Sequence, residues 1–368
     1  MTTQQSRQVP FNVLGPGVHA IRADLDAALQ RVLDSGWFLM GPELKAFEQQ
    51  FAAYHGSDLQ TIGVSSGTDA LRIGLLALGI QPGDEVLSVA NAGVPPVAAL
   101  VATGARPVFC DVDPNTHALD PAEIDRRVTS RSRAVVVVHL YGHAAPMDAI
   151  VDRARAHGLK VLEDCAQAHG ARSAGRVVGT FGDAAAFSFY PTKNLGALGD
   201  AGALLTADPR VADQARLLRM YGWRTRYTSE LHSTVSRLDE LQAALLSAKL
   251  PHLDDWNAAR RRLAARYRSH LHHVVQLPPE DGVFHLFVVR TPERDALKVY
   301  LAEHGIATDV HYPRPVHLQA AYAEYGDGPG SLPMTEQLAG EILSLPIYPE
   351  LSNDDVDYVC QTMQTYEA

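Results

Sequence analysis

The 368-residue chain predicts a doubly wound α/β fold with a mainly parallel sheet, followed by a smaller α+β domain. Between about residues 60 and 206, short apolar runs alternate with segments that carry apolar residues at helical spacing, which is typical of a parallel sheet covered by helices. One run, Val135–Val138, is apolar on both faces of any strand, as a strand between two helical layers must be. After about residue 237 longer amphipathic helices replace this alternation.

The first part of the chain is expected to form a seven-stranded sheet, with helices between most of its strands. The strands are predicted at Thr61–Ser65, Glu85–Val89, Pro107–Asp111, Ala134–Leu140, Lys160–Glu163, Ala184–Phe189 and Ala203–Thr206. The helices are predicted at Ala70–Leu78, Pro95–Thr103, Glu123–Val128 and Met147–His157. Because the connection from Phe189 to Ala203 carries little helical pattern, the last strand can run antiparallel.

The C-terminal part predicts fewer strands. The expected elements are helices at Leu238–Leu250 and Trp256–His273, a strand at Val283–Arg290, a helix at Asp295–His304, a Pro/Gly-rich stretch at Tyr312–Pro333 and a helix near Asn353–Met363. We therefore expect a large domain over residues 1–250, with a helical N-terminal segment, and a small domain over residues 251–368. The arginines of the second long helix are interpreted as a solvated face: Arg260, Arg261, Arg262 and Arg266.

Composition limits the possible partners. The formal net charge of −10 argues against nucleic acid or a membrane surface as the main partner, since both select basic patches. Three distant cysteines indicate neither disulfides nor zinc. His139 and His143 flank a helix-breaking glycine, so no metal is expected. With no signal peptide and no apolar run of about 20 residues, the chain is expected in the cytoplasm.

Polar residues follow several predicted strands, at the end where an open α/β sheet binds ligands. Ser66–Asp69 begins a predicted helix, and its side chains can simply cap that helix. Alternatively, the free N–H groups near Gly67, with the hydroxyl of Ser188, can bind a phosphate. Glu163 and Asp164 point to opposite faces of their strand, so at most one faces a cleft. That carboxylate is either a solvated turn acid or a partner for a protonated ring nitrogen.

The most informative residue is Lys193, in an apolar, glycine-rich turn without an acidic residue within six positions. Burial disfavours the ammonium form, which lowers the pKa of a lysine and makes the amine a nucleophile, although a loop lysine can equally reach solvent. A lysine, a helix N-terminus and an acid are the groups that pyridoxal phosphate needs for its aldehyde, its phosphate and its ring nitrogen.

A family resemblance rests on several ordered segments. They are Ser66–Leu71, Pro82–Val86, Val138–Gly142, Glu163–Gly170, the turn of Lys193, Ser236–Ala244 and His311–Pro313. From about Ser35 to Ile347, the chain resembles the sugar aminotransferases of the DegT/DnrJ/EryC1/StrS family. The resemblance implies the aspartate aminotransferase-like fold type I of pyridoxal-phosphate (PLP) enzymes. It also implies pyridoxal 5′-phosphate as cofactor and active sites at a homodimer interface, which residues near 221–237 reach.

The same resemblance implies roles for individual residues. Lys193 would hold the cofactor as a Schiff base and shuttle the proton, and Asp164 would pair with the ring nitrogen. The other cofactor-binding residues would be Gln167, near the ring hydroxyl, and Gly67, Thr68 and Ser188, at the phosphate. The substrate-binding residues would be Tyr190, Arg224, His311, Tyr312 and His317.

Two positions depart from the family's pattern. The family usually stacks an aromatic residue on the cofactor ring, and Gly93 stands at that position here. Either the alignment slips locally or another residue covers that face. The family also commonly has an Asn that reaches the partner's phosphate, and Val235 stands there. Arg224 or Arg226 is the candidate replacement.

The implied activity is transfer of an amino group from an amino acid, expected to be L-glutamate, to a keto group of a nucleotide-linked deoxysugar. A dTDP-3-keto-6-deoxyhexose is the expected acceptor. The alternatives are a keto cyclitol as acceptor, or a catalytically silent regulatory homologue. Lys193 argues against the family's dehydrating members, which have histidine at that position.

Overall fold

The computed structural model of the protein describes residues 7–366. Its helices are α1 (Gly15–Ala20), α2 (Arg22–Ser35), α3 (Pro42–His55), α4 (Gly67–Ala77), α5 (Pro95–Val101), α6 (Pro121–Arg127), α7 (Met147–Ala156), α8 (Pro209–Leu218), α9 (Glu240–Lys249), α10 (Leu253–Leu271), α11 (Arg294–Glu303), α12 (Pro333–Glu341) and α13 (Asn353–Gln364). Its strands are β1 (Gln60–Val64), β2 (Glu85–Val89), β3 (Arg106–Cys110), β4 (Ser132–Val138), β5 (Lys160–Asp164), β6 (Arg172–Ser173), β7 (Arg176–Val177), β8 (Ala184–Ser188), β9 (Gly202–Thr206), β10 (Trp223–Thr225), β11 (Thr228–Ser229), β12 (Phe287–Arg290) and β13 (Ile342–Leu345). Among the described helices, none combines the length and apolar character that crossing a bilayer requires.

Seven strands form one sheet in the order β1-β9-β8-β5-β4-β2-β3. The pairs β3/β2, β2/β4, β4/β5 and β5/β8 are parallel, whereas β9 is antiparallel to both β8 and β1. The predicted mainly parallel sheet with an antiparallel last strand is therefore confirmed. The fourth strand ends at Val138 rather than at the predicted Leu140, because Leu140–Gly142 forms a single helical turn in which Tyr141 has a positive φ of 61°.

Apolar clusters cover both faces of the sheet. Val135 and Val137 of β4 lie in one cluster, and Val136 lies in another that packs beneath α4. All three side chains are at most 1% exposed. The run of valines is thus buried on both faces, as its composition predicts.

A separate core forms around the antiparallel pair β12 and β13. Tyr267 of α10 stacks on Phe287 of β12, with ring centroids 4.8 Å apart. Val9 also belongs to this core and bridges to Ile306, so the N-terminal segment reaches the C-terminal part. The division of the chain at residues 250 and 251 stays a prediction.

Arg260 corrects the predicted solvated face of α10. Its side chain is buried, and Nη1 donates hydrogen bonds to the carbonyl oxygens of Phe284 at 3.3 Å and Ile347 at 2.8 Å. Arg260 shares a helix face with Leu263 and Tyr267, which pack into the C-terminal core. The next two arginines along the helix are exposed, as predicted.

Candidate active site

A cavity of about 410 Å³, open to solvent, lies at the carboxyl ends of β5 and β8 and beside the start of α4. Its volume suits a small-molecule ligand. It brings together nine residues that the sequence nominates: Gly67, Thr68, Asp164, Gln167, Ser188, Tyr190, Lys193, His311 and Tyr312. The rule that open α/β sheets bind ligands at their strand ends therefore locates this cavity.

The start of α4 forms one wall of the cavity. Ser66 caps the helix, since its Oγ accepts a hydrogen bond from the N–H of Asp69 at 3.1 Å. The predicted cap is thus confirmed, and it occupies only one of the free N–H groups of the first turn. A Cβ at Gly67 would lie 2.5 Å from the Cβ of Ser188, so glycine is required for β8 to end against the helix. Backbone N–H groups, a hydroxyl and a helix N-terminus together fit a phosphate.

Glu163 and Asp164 point to opposite faces of the sheet, as alternation along β5 requires. Glu163 faces the protein interior, where it accepts hydrogen bonds from backbone N–H groups and from His139. Asp164 faces the cavity, and its Oδ1 accepts a hydrogen bond from the N–H of Ala166 at 3.0 Å. Within residues 7–366, the second carboxylate oxygen of Asp164 has no hydrogen-bond partner. It can therefore accept a hydrogen bond from the N–H of a ligand's ring. Burial raises the pKa of Asp164, and the Ala166 hydrogen bond and the charge of Lys193 oppose that rise.

Lys193 lies in the turn that follows β8. The N–H of Lys193 donates to the carbonyl of Tyr190 at 2.8 Å. The next residue, Asn194, is buried and donates through Nδ2 to Asn257 of α10 at 2.8 Å and to the carbonyl of Val283 at 3.0 Å. Buried amide hydrogen bonds of this kind fix the turn, and with it the direction of the lysine.

Burial lowers the pKa of Lys193 from its usual 10.5 to about 8, and the nearby Asp164 carboxylate opposes that shift. An amine with a pKa near 8 is uncharged in roughly a tenth of the molecules at pH 7, far more than an ordinary lysine. Such an amine can attack an aldehyde, as the sequence analysis expects of this residue.

The lowered pKa predicts how the stability of the cofactor-free protein depends on pH. Between pH 8 and 10.5 the unfolded chain binds more protons than the folded chain at Lys193, so the free energy of unfolding rises with pH through this window. Lys193→Met removes the contribution of this lysine and makes the rise shallower, while Lys249, whose pKa burial also lowers to about 8, still contributes its own. Urea unfolding of both proteins at several pH values checks it. Parallel pH profiles would show that the lysine is not buried as the structure has it.

The loop of His311 and Tyr312 closes the cavity from the C-terminal part. Gln167 Nε2 donates to the hydroxyl of Tyr312 at 3.2 Å, and the N–H of Tyr141 donates to Gln167 Oε1 at 2.7 Å. The hydroxyl of Tyr141 donates to the carbonyl of His311. Tyr141 therefore holds Gln167 on one side of the cavity and the backbone of His311 on the other. It lies in the Val138–Gly142 segment that carries the family resemblance, but the sequence alone does not indicate this role.

His285 lines the cavity, and sequence reasoning missed it as well. Its Nδ1 lies 3.3 Å from Oδ1 of Asn194, and burial lowers its pKa well below the usual value. His285 lies just before β12 in a run of mostly apolar residues. The pattern of that run indicates a buried strand and gives no signal of a ligand site.

Two nominated substrate residues do not line the cavity. Arg224, on the exposed hairpin β10–β11, forms ion pairs with Asp213 at 2.8 Å and Glu230 at 3.1 Å. His317 is buried, forms a hydrogen bond with Glu336 at 3.1 Å, and lines a separate cavity of about 200 Å³. Their roles at the substrate stay predictions.

Residues 19–364 match the DegT/DnrJ/EryC1/StrS aminotransferase family. The chain belongs to this family. It is 49% identical to the erythromycin biosynthesis sensory transduction protein EryC1 of Saccharopolyspora erythraea, over 97% of this chain and 99% of that protein. It is also 49% identical to the dTDP-3-amino-3,4,6-trideoxy-alpha-D-glucose transaminase of Streptomyces venezuelae, over 94% and 93%. Among solved structures, that of S. venezuelae DesV has a TM-score of 0.94 at 48% identity, covering 97% of this chain and 98% of DesV.

Membership of the DegT/DnrJ/EryC1/StrS family confirms several predictions. The fold is type I of the pyridoxal-phosphate enzymes, and the cofactor is pyridoxal 5′-phosphate. The chain is a sugar aminotransferase. The residues that line the cavity suit this cofactor, since Lys193, Asp164 and the start of α4 offer an amine, an acid and an anion site.

Proposed function

We propose that the enzyme transfers the amino group of L-glutamate to the keto carbon of a dTDP-3-keto-6-deoxyhexose. The observation that carries the proposal is the presence of Lys193, Asp164 and the N-terminus of α4 in one cavity. No observation favours a keto cyclitol, which is kept as an arm of the test below.

The cavity residues have separate tasks in this reaction. Pyridoxal phosphate, when bound, supplies an aldehyde that condenses with amines and a ring that draws electrons from the amine-bearing carbon. Asp164 keeps the ring nitrogen protonated through a charge-assisted hydrogen bond. Gly67, Thr68 and Ser188 hold the phosphate, which orients the ring relative to Lys193.

Lys193 acts as the general base and acid once the donor amine has replaced it. With the cofactor bound, its uncharged amine would take the proton from the α-carbon of glutamate, and the resulting ammonium would be the acid that returns a proton. In the net reaction one water is consumed as glutamate becomes 2-oxoglutarate and one is released as the sugar's keto group becomes an amine, so the amino group is exchanged for the keto oxygen. The second half-reaction runs the same proton moves in reverse at the sugar carbon, so the keto group becomes an amine. Ping-pong kinetics follow from this order.

The choice of acceptor rests on relatives. Two transaminases at 49% and 46% identity, each over more than nine-tenths of this chain, carry names with a dTDP-linked 3-amino deoxysugar. Relatives named for UDP-linked sugars are less similar, at 40% and 36% identity. This ordering supports a dTDP-linked 3-keto deoxysugar.

A homodimer is part of the proposal. Several large apolar side chains are exposed on the single chain: Trp37 at 57%, Phe38 at 50%, Tyr190 at 53% and Tyr227 at 72%. Such residues are enriched at protein interfaces. Light scattering of the purified protein, with two 39.9 kDa chains expected, checks this part.

The test of the proposed function is a panel of acceptors with L-glutamate as donor. It includes dTDP-3-keto, dTDP-4-keto and UDP-3-keto sugars and a keto cyclitol, and it measures 2-oxoglutarate release together with the mass of the aminated product. The dTDP-3-keto-6-deoxyhexose is expected to give the highest kcat/KM. If another compound of the panel is aminated faster, that compound, and not the dTDP-3-keto-6-deoxyhexose, is the acceptor.

A further inference from the structure

Gly93 lies directly against the ring of Tyr312. A Cβ built at position 93 would be 3.0 Å from both Cε2 and Cζ of that ring. The glycine also has a positive φ of 77°, which side-chain-bearing residues rarely adopt. The space that a side chain at position 93 would enter is therefore already occupied by Tyr312.

Tyr312 is held in this position from two sides. Its hydroxyl accepts the hydrogen bond from Gln167, which Tyr141 fixes in turn. The preceding residue, His311, is bound through Nδ1 to the hydroxyl of Ser344 at 2.9 Å. Burial raises the pKa of Tyr312, with the charge of Asp164 adding to the rise, so the ring is neutral near pH 7. A fixed, neutral aromatic ring suits stacking.

The same ring lines the cavity that contains Lys193 and Asp164. We propose that Tyr312 stacks on the pyridine ring of the cofactor, and so takes the place of the aromatic residue that the family usually has at the position of Gly93. The proposal rests on the cofactor-binding cavity of the proposed function. It assigns Tyr312 to the cofactor, where the resemblance implied a contact with substrate.

Glycine at position 93 is then the counterpart of this arrangement. Two aromatic side chains cannot occupy the same space. Because the loop places the ring of Tyr312 there, position 93 cannot carry an aromatic side chain as well. The cover over the cofactor comes from the C-terminal part, while Asp164 ends strand β5 of the large sheet and Lys193 follows strand β8.

Cofactor binding by Tyr312→Ala tests the proposal, with Tyr312→Phe as the matched control that keeps the ring and loses only the hydroxyl. Each protein is freed of cofactor and titrated with pyridoxal phosphate, following visible absorbance and circular dichroism. Tyr312→Ala is expected to raise the dissociation constant about three- to tenfold and to reduce the induced dichroism. Tyr312→Phe is expected to stay within about twofold of the original protein.

A double-substitution cycle without cofactor tests the packing on its own. Gly93→Ala strains the backbone whether or not Tyr312 is present, but it meets the ring only when the ring is there. It should therefore lower the thermal midpoint more in the original protein than in Tyr312→Ala. Equal losses in both backgrounds would mean that the ring does not occupy this space, and would overturn the proposal.

The remaining outcomes separate the two proposals. If Tyr312→Ala binds cofactor as tightly as the original protein, or if Tyr312→Phe loses as much affinity as Tyr312→Ala, stacking by this ring is wrong while the proposed function stands. If the original protein itself takes up no pyridoxal phosphate, the proposed function fails, and the stacking fails with it.

Discussion

Lys193→Ala is expected to lower kcat/KM for transamination by at least about 10³-fold, because the variant loses both the covalent attachment of the cofactor and the proton carrier. After incubation with pyridoxal phosphate and reduction with borohydride, the original protein should gain a stable label on the peptide that contains Lys193. The variant should gain none, as mass spectrometry of the digests would show.

Lys249 provides a matched control for the lysine chemistry. It is also buried, with its pKa lowered to about 8 by burial, and its Nζ donates to the carbonyl of Gly196 at 2.5 Å. It does not line the cavity of Asp164, so a lowered pKa alone should not make it react with the cofactor. Labelling of Lys249 in place of Lys193 would contradict the assigned role.

Asp164→Asn is expected to lower kcat about 10²- to 10³-fold while it leaves the fold intact. The amide oxygen can still accept the hydrogen bond from Ala166, but a neutral amide no longer stabilises a positive charge on the cofactor's ring nitrogen. Steady-state kinetics and the thermal midpoint of the variant check both halves of this prediction.

Glu163→Gln at the neighbouring position should show the opposite pattern. Hydrogen bonds from His139 and from the N–H groups of Gly182 and Gly179 hold the pKa of Glu163 below its usual range, although burial alone would raise it. A side-chain amide would turn an NH₂ group toward these donors and cost about 3 kcal/mol of unfolding free energy. The cofactor-bound form should keep most of its kcat. A greater loss of kcat than in Asp164→Asn would mean that the two acids have been assigned the wrong way round.

Much of the site could be predicted because its residues follow directly from local pattern. Gly67, Asp164 and Ser188 each lie at the end of a strand, or just after one, that the alternation of apolar runs locates within one or two residues. Parallel strands share one ligand-binding edge, so residues far apart in the sequence meet without further information. Lys193 was identified by its unusual turn.

The remaining features depend on contacts between distant segments, which no local pattern encodes. An arginine-rich helix predicts a solvated face, yet Arg260 is buried because carbonyl groups of other segments accept its hydrogen bonds. Helix α12 and strand β13 follow a Pro/Gly-rich stretch and were not predicted. Similarly, Gly93 could be identified as a departure, but not Tyr312 as the side chain beside it.

The amide contact between Asn194 and Asn257 has a consequence for the order of events during folding. Asn257 belongs to α10, and its Nδ2 also donates to the carbonyl of His169 at 2.8 Å, so one side chain ties two loops at the sheet edge to a helix that is synthesised later. A nascent chain that has completed its sheet but has not yet docked that helix lacks the restraint on the lysine turn. The turn that carries the lysine is therefore expected to reach its final geometry only after α10 has docked on the sheet.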